Sequence, residues 1–168
     1  MPILFIVAGT KNGFIAKNEV QTYPSGHYYA VQENAWMDSG VWQFYLECIS
    51  TNIDGPCLLL VDNLKCHVNE QSYQFVGDVM GSILEPLPKN STSVCQPLDV
   101  GVMGPFKKKL VRAWMEEESL CKTASEKRLA IICRAIKIWD DLDEDLIRKS
   151  FLNAIPPTGV GNAQPASS

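Results

Sequence analysis

Apolar and polar positions fall into short blocks separated by glycine- and proline-bearing turns. The Ile3 to Val7 run is continuously apolar and ends at Gly9-Thr-Lys-Asn-Gly13, which predicts a buried strand followed by a turn. Gly26 to Gln32, with Tyr28, Tyr29 and Val31, predicts a second and weaker strand. Asp38 stands just ahead of Val41, Phe44, Tyr45, Cys48 and Ile49, whose spacing is helical, so its carboxylate is placed to cap that helix. The turn Asn52 to Pro56 ends it. Cys57 to Val61 is an unbroken apolar run of the kind found in a strand covered on both faces. A helix is predicted over Asn69 to Val79, with Gly77 as its weak point. Ile83 to Leu87 reads as a short strand closed by prolines. A loop from Pro88 to Cys95 then leads into a long helix over Pro97 to Glu118, proline being tolerated in a first turn.

From Thr123 onward the pattern is purely helical. Thr123-Ala-Ser-Glu126 is a capping box, and Leu129, Ile132, Cys133, Ile136 and Trp139 form one apolar stripe. Asp140 to Asp143 makes a break and the next cap, and Leu146, Ile147, Ser150, Phe151 and Ala154 give a last short helix. Such stripes are core packing and not a cofactor box. The segment from Pro156, rich in Pro, Gly, Ala, Asn and Ser, reads as a disordered tail over 156–168. Strands alternating with helices, then helices alone, define an α/β domain with a helical C-terminal extension.

Composition narrows the partners. With 168 residues and 46% hydrophobic content the chain is long enough for one domain with a core, and 20% charged residues and four tryptophans exclude a disordered polymer. A net charge of -4 does not announce a nucleic-acid binder. Charge is nevertheless uneven: Lys107, Lys108, Lys109 and Arg112 form a basic run followed at once by Glu116, Glu117 and Glu118. That run is either a phosphate-contacting helix face or a solvated helix with opposite charges one or two turns apart, and charge alone favours the second. Six cysteines without a Cys-x-x-Cys pair, and only two histidines, exclude a zinc finger and fit free thiols in a reducing compartment. Cys57 lies in an apolar run, and Cys48 and Cys133 lie on apolar helix faces. The short apolar N-terminus has no basic residue ahead of it, so it reads as a strand and not a signal peptide; no run reaches transmembrane length. A soluble intracellular protein is expected, and Asn90-Ser91-Thr92 is expected to be a plain loop. No glycine-rich phosphate loop follows any strand, which discounts a doubly wound nucleotide-binding domain.

Two aspartates stand where chemistry gathers. Asp62 ends the most apolar strand, and the carboxyl ends of strands in open α/β sheets are where ligand groups collect. Asp99 lies in the first turn of the long helix, whose dipole favours an anion there. Either alone reads first as a local cap. Together they suit phosphodiester chemistry, which uses two Mg²⁺ or Mn²⁺ ions about 3.5–4 Å apart held by hard oxygens from separate elements. The 36 residues between them allow convergence on one sheet edge. His67, five residues after Asp62, could orient a carboxylate or contact a phosphate; a lone loop histidine is more often an ordinary polar residue.

Leu58-Leu-Leu-Val-Asp62-Asn63 with His67, and Leu87-Pro-Lys-Asn-Ser-Thr-Ser-Val-Cys-Gln-Pro-Leu-Asp99-Val-Gly-Val102, carry a specific resemblance. The chain resembles the DDE superfamily endonuclease domain of pogo/Tigger-like transposases, the family that also includes centromere protein B and Jerky-like relatives. Ala35-Trp-Met-Asp38 is similar to that family's approach to its first helix, and Trp139 to Ala154, with Ile147 to Phe151, to its helical close, so the resemblance covers about residues 1–155. It implies a ribonuclease-H-like fold over 1–118, with 119–155 as the helical extension of the same domain. It implies that Asp62 and Asp99 are the second and third catalytic, metal-binding aspartates, with His67 beside them, and that DNA is the substrate. Mg²⁺ or Mn²⁺ as cofactor and a nuclear location follow from the same resemblance.

The family's first aspartate lies on a first strand upstream of where this sequence begins, and its helix-turn-helix region is absent too. Asp38 is taken as a helix cap and Asp54 lies in an Asp-Gly-Pro turn, so neither replaces that aspartate. In the implied sheet the first strand sits between early antiparallel strands and the Cys57–Val61 strand, so that strand is expected either to pair with Ile3–Val7 or to expose an edge. The expected function is therefore a nuclease-derived DNA-binding domain, inactive alone and inclined to form a homo-oligomer. The alternative is a remnant interaction module acting through its helical half and open edge.

Overall fold

A computed structural model describes residues 1–89, 92–117 and 121–155. The first strand, β1 (Leu4–Ala8), pairs with β2 (Tyr28–Gln32) in a register running from Leu4↔Tyr28 to Ala8↔Gln32. The pairing is parallel, which corrects the expectation of early antiparallel strands. The reason is the connection: a π-turn at Ile15–Glu19 and a 3₁₀ turn at Val20–Thr22 carry the chain back as a crossover. The sequence pattern gives no sign of that segment, because it is short and buries a carboxylate, Glu19. Aromatic stacking fastens the pair, with Phe5 over its register partner Tyr29 at 5.6 Å and Tyr29 against Tyr23 at 5.1 Å.

Helix α1 (Ser39–Ser50) starts where predicted, the Asp38 carboxylate accepting from the Val41 amide at 2.9 Å. It buries Val41, Trp42, Leu46 and Ile49, and the Tyr28 hydroxyl donates to the Cys48 carbonyl at 3.0 Å, joining α1 to β2. The next strand, β3 (Leu58–Val61), is followed by α2 (Glu70–Gln74), capped by Asn69, and a π-turn at Phe75–Val79 that contains Gly77. Strand β4 (Ile83–Pro86) then pairs with β3 in parallel. Trp42, Leu46, Ile49, Val61, Cys66, Val76 and Leu84 form the core, between α1, the α2 segment and one face of β3–β4.

The other face of β3–β4 is open. Leu58 and Ile83, register partners, are 58% and 63% exposed, so β3 is covered on one face among the described residues and not on both. Nor does β1 pair with β3: the four strands make two separate two-stranded sheets. Two strands are few for a parallel sheet, which normally has more strands and both faces covered. The helices that follow β4 pack chiefly against one another and the turns between them.

Those helices are α3 (Thr92–Cys95), α4 (Met103–Glu116), α5 (Ala124–Asp140) and α6 (Glu144–Ala154). The short α3 replaces the second half of the predicted loop, and a π-turn at Leu98–Val102 runs into α4. Glu118, the predicted Asn90-Ser91-Thr92 loop in part, and the predicted tail lie outside the described residues. The capping box at Thr123 and Glu126 is formed, and Asp143 caps α6. The buried stripe of α5 is Ile132, Ala135 and Ile138, rotated from the predicted one, and Cys133 is exposed. Phe151 is exposed as well, while Ser150 and Ala154 hold the buried side of α6. All six cysteines are free. Among the described residues no helix is long and apolar enough to cross a membrane.

A buried ion pair fixes α5 to the β1–β2 crossover. Arg128 donates Nη2 to Glu19 Oε1 at 2.7 Å and Nε to Oε2 at 2.9 Å, a two-pronged bond. The guanidinium holds the Glu19 carboxyl below its ordinary value of 4.5, against the opposing effect of burial. A depressed folded value means that the pair stabilises the fold fully above about pH 4.5 and loses that contribution as pH falls through the lowered value. Replacing Arg128 by Met leaves Glu19 buried without its cation. It should cost about 2 kcal/mol at neutral pH, less than for a pair wholly removed from water. Thermal melts of both proteins should converge as the pH drops below 4.5; a constant gap across pH would contradict this assignment.

Candidate functional site

Asp62 is the first residue after β3, and the turn that follows is closed on its side chain. Its Oδ1 accepts from the Leu64 amide at 3.0 Å and from His67 Nδ1 at 2.6 Å. The His67 and Val68 amides in turn donate to the Leu64 carbonyl at 2.8 and 3.3 Å. Asn63 Nδ2 donates to the Leu87 carbonyl, tying the turn to the end of β4. Both contacts of the Asp62 carboxylate thus converge on one oxygen, and Oδ2 has no hydrogen bond among the described residues. The side chain is 34% exposed and that of His67 13%.

The short bond to Asp62 places the imidazole proton on Nδ1. Nε2 is buried without a partner among the described residues. The ring rests on Trp42 of α1, with centroids 4.2 Å apart. His67 is therefore fixed on two sides, by a carboxylate and by an indole.

Asp99 lies in the π-turn ahead of α4 and is exposed. Its backbone is docked on α6: a Cβ at Gly101 would come within 2.9 Å of Ser150 Cβ, and the Ser150 hydroxyl donates to the Pro97 carbonyl. The structure brings Asp62 and His67 together and records no contact of either with Asp99. Among the described residues no group of three or more His, Cys, Asp or Glu side chains is arranged to hold a metal ion.

The basic run divides. Arg112 pairs with Glu116 at 2.7 Å, the local pairing that charge spacing anticipated, whereas Lys109 Nζ donates to the distant Asp141 carbonyl at 3.3 Å. Glu117 turns away to Arg134 of α5. Lys107 and Lys108 stay exposed without a partner among the described residues.

Residues 2–151 match the family model described as DDE superfamily endonuclease. The chain belongs to that family. No curated protein and no solved structure matches it. DDE superfamily endonucleases are transposase-type nucleases that act on DNA and generally use divalent metal.

The donor set of this DDE-family chain suits such a metal in kind. The Asp62 and Asp99 carboxylates are hard oxygen donors on side chains that reach solvent, whereas His67 Nε2 is buried. Trp42 and Ser72, which stand behind His67, escape a reading of the sequence. The apolar stripe read for this helix is Val41, Phe44, Tyr45, Cys48 and Ile49, whereas the face that the structure buries carries Val41, Trp42, Leu46 and Ile49 and leaves Phe44 exposed. The dependence of Asp99 on close packing has a direct check. Gly101→Ala should lower stability by about 1–3 kcal/mol, through overpacking against Ser150. An unchanged urea midpoint would show that the π-turn is not docked as described.

Proposed function

We propose that this chain is the nuclease domain of a pogo/Tigger-type transposase with a ribonuclease-H-like fold, acting in the nucleus on DNA. In this reading Asp62, through Oδ2, and Asp99 hold Mg²⁺ or Mn²⁺. The observation that carries it is the Asp62 turn: one carboxylate oxygen is fixed from within by Leu64 and His67, and the other is left to solvent. A carboxylate that merely caps a turn needs no histidine behind it. The bound metal supplies activation of an attacking oxygen and stabilisation of the leaving one. Asp62 and Asp99 contribute negative charge and position; His67 keeps the Asp62 plane from rotating. Lys107 and Lys108, with Lys109 and Arg112 once their local partners give way, supply phosphate contacts along α4.

By the resemblance these are two of the family's three aspartates, and we infer that the chain is inactive alone. The open β3 edge and the Leu58–Ile83 face favour self-association into a homo-oligomer. The same face supports the second reading, an interaction module without catalysis.

Mn²⁺-dependent nicking of supercoiled DNA, run beside Asp62→Asn and Asp99→Asn, separates these readings. The expected result is no nicking by any version, with Mn²⁺ binding in the parent weakened by either substitution. Nicking that both substitutions abolish would refute inactivity, and Mn²⁺ binding indifferent to Asp62 would leave the interaction module. The same preparations on a sizing column should run above monomer mass. Their DNA affinity should lose about one unit of log–log salt slope per lysine removed at Lys107 or Lys108.

A further inference from the structure

The Asp62–His67 pair is backed by a buried chain of contacts that reaches α1. Trp42 is 4% exposed and its indole lies against the His67 ring at 4.2 Å, inclined by 43°. The indole cannot slide along that ring freely, because its Nε1–H donates to Ser72 Oγ at 2.9 Å. Ser72 is 1% exposed and is itself held: its amide donates to Asn69 Oδ1 at 2.9 Å, and Oγ lies 3.1 Å from the same oxygen. Asn69 Nδ2 donates to the Cys66 carbonyl at 2.7 Å, the residue just before His67. The contacts form a closed circuit: Asn69 fixes Ser72, Ser72 fixes Trp42, Trp42 backs His67, and the Cys66 carbonyl returns to Asn69.

A tryptophan is an unusual choice if packing alone were required there. A buried indole N–H needs a partner, and a phenylalanine or leucine would fill apolar space without that demand. The N–H bond to Ser72 fixes the rotation of the indole, and hence the surface that it offers to the imidazole. With its Nε2 unpartnered among the described residues, the ring is oriented by Asp62 on its edge and Trp42 on its face.

We infer that Trp42, held by Ser72, is a positioning residue for Asp62: it sets the plane of His67, and through it the direction in which Oδ2 of Asp62 is presented. This rests on the reading of Asp62 as a metal-binding carboxylate only for its consequence; the positioning itself is a property of the metal-free protein.

The test is the hydrogen-bonded Nδ1–H signal of His67 in proton and ¹⁵N NMR of the full chain, compared among Trp42→Phe, Ser72→Ala and Ile49→Val. Ile49 belongs to the same core but has no part in the hydrogen-bonded circuit, so its variant reports general loosening. Trp42→Phe should lose or broaden the Nδ1–H signal, and Ser72→Ala should shift it the same way, while Ile49→Val keeps it. Mn²⁺ affinity should fall by up to about tenfold in the first two, since they act through the residue that orients the ligand. A signal unchanged in folded Trp42→Phe and Ser72→Ala overturns the inference, as does an equal loss in Ile49→Val. Should Trp42→Phe not fold, Ser72→Ala decides alone. Loss of the signal in a protein whose parent binds no Mn²⁺ would sustain the positioning role and sink the metal reading.

Discussion

One oxygen of Asp62 accepts two hydrogen bonds, and the rest of the molecule is arranged so that it can. The carboxylate sits at the end of β3, where the apolar run stops and the backbone must turn. Leu64 and His67 satisfy Oδ1 within that turn. A turn of this kind holds only if the histidine is kept in place, because a half-exposed carboxylate would otherwise exchange its partner for water at little cost. The core residues Trp42, Leu46 and Ile49 on α1, with Val61, Val76 and Leu84, supply the rigid wall. Asp38 starts α1 at the register that turns Trp42 inward. The cap, the helix, the indole, the imidazole and the carboxylate are links in one sequence of causes.

The second half of the chain works by different physics. Around Asp99 the controlling factor is close approach, with Gly101 admitting Ser150 and α6 carrying the π-turn. Between α5 and the first sheet it is a buried, two-pronged ion pair, joined by Trp139 Nε1 donating to the Met1 carbonyl at 3.2 Å. These attachments hold α5 to the β1–β2 side. The Leu58–Ile83 face stays exposed, and among the described residues β3 pairs only with β4.

Much of this arrangement is legible in the order of residues along the chain. Asp38, Asn69, Thr123 and Asp143 announce their helices, since a short polar side chain ahead of an apolar period has few other uses. Asp62 with His67 is legible as a pair through motif and spacing. The strand partners are not: an apolar run does not say which neighbour it takes, so β1 is free to pair with β3 as far as pattern goes and instead pairs in parallel with β2. The Ile15–Thr22 crossover is hidden because Glu19 in it looks like surface and is neutralised by Arg128, far away in sequence. The buried stripe of α5 is rotated from the periodic one, as Cys133 and Ile136 fit a helical period as well as Ala135 and Ile138 do. Trp42 is missed for the same reason: the stripe Val41, Phe44, Tyr45, Cys48 and Ile49 fits a helical period as well as the buried face with Trp42 and Leu46 does.

The most direct test of the central claim is a crystal structure of the chain with Mn²⁺, read by anomalous scattering. A peak is expected within inner-sphere reach of Asp62 Oδ2, about 2.0–2.4 Å, with His67 still bonded to Oδ1. Metal on Oδ1 with His67 displaced, or a well-ordered Asp62 that no metal approaches, would contradict it.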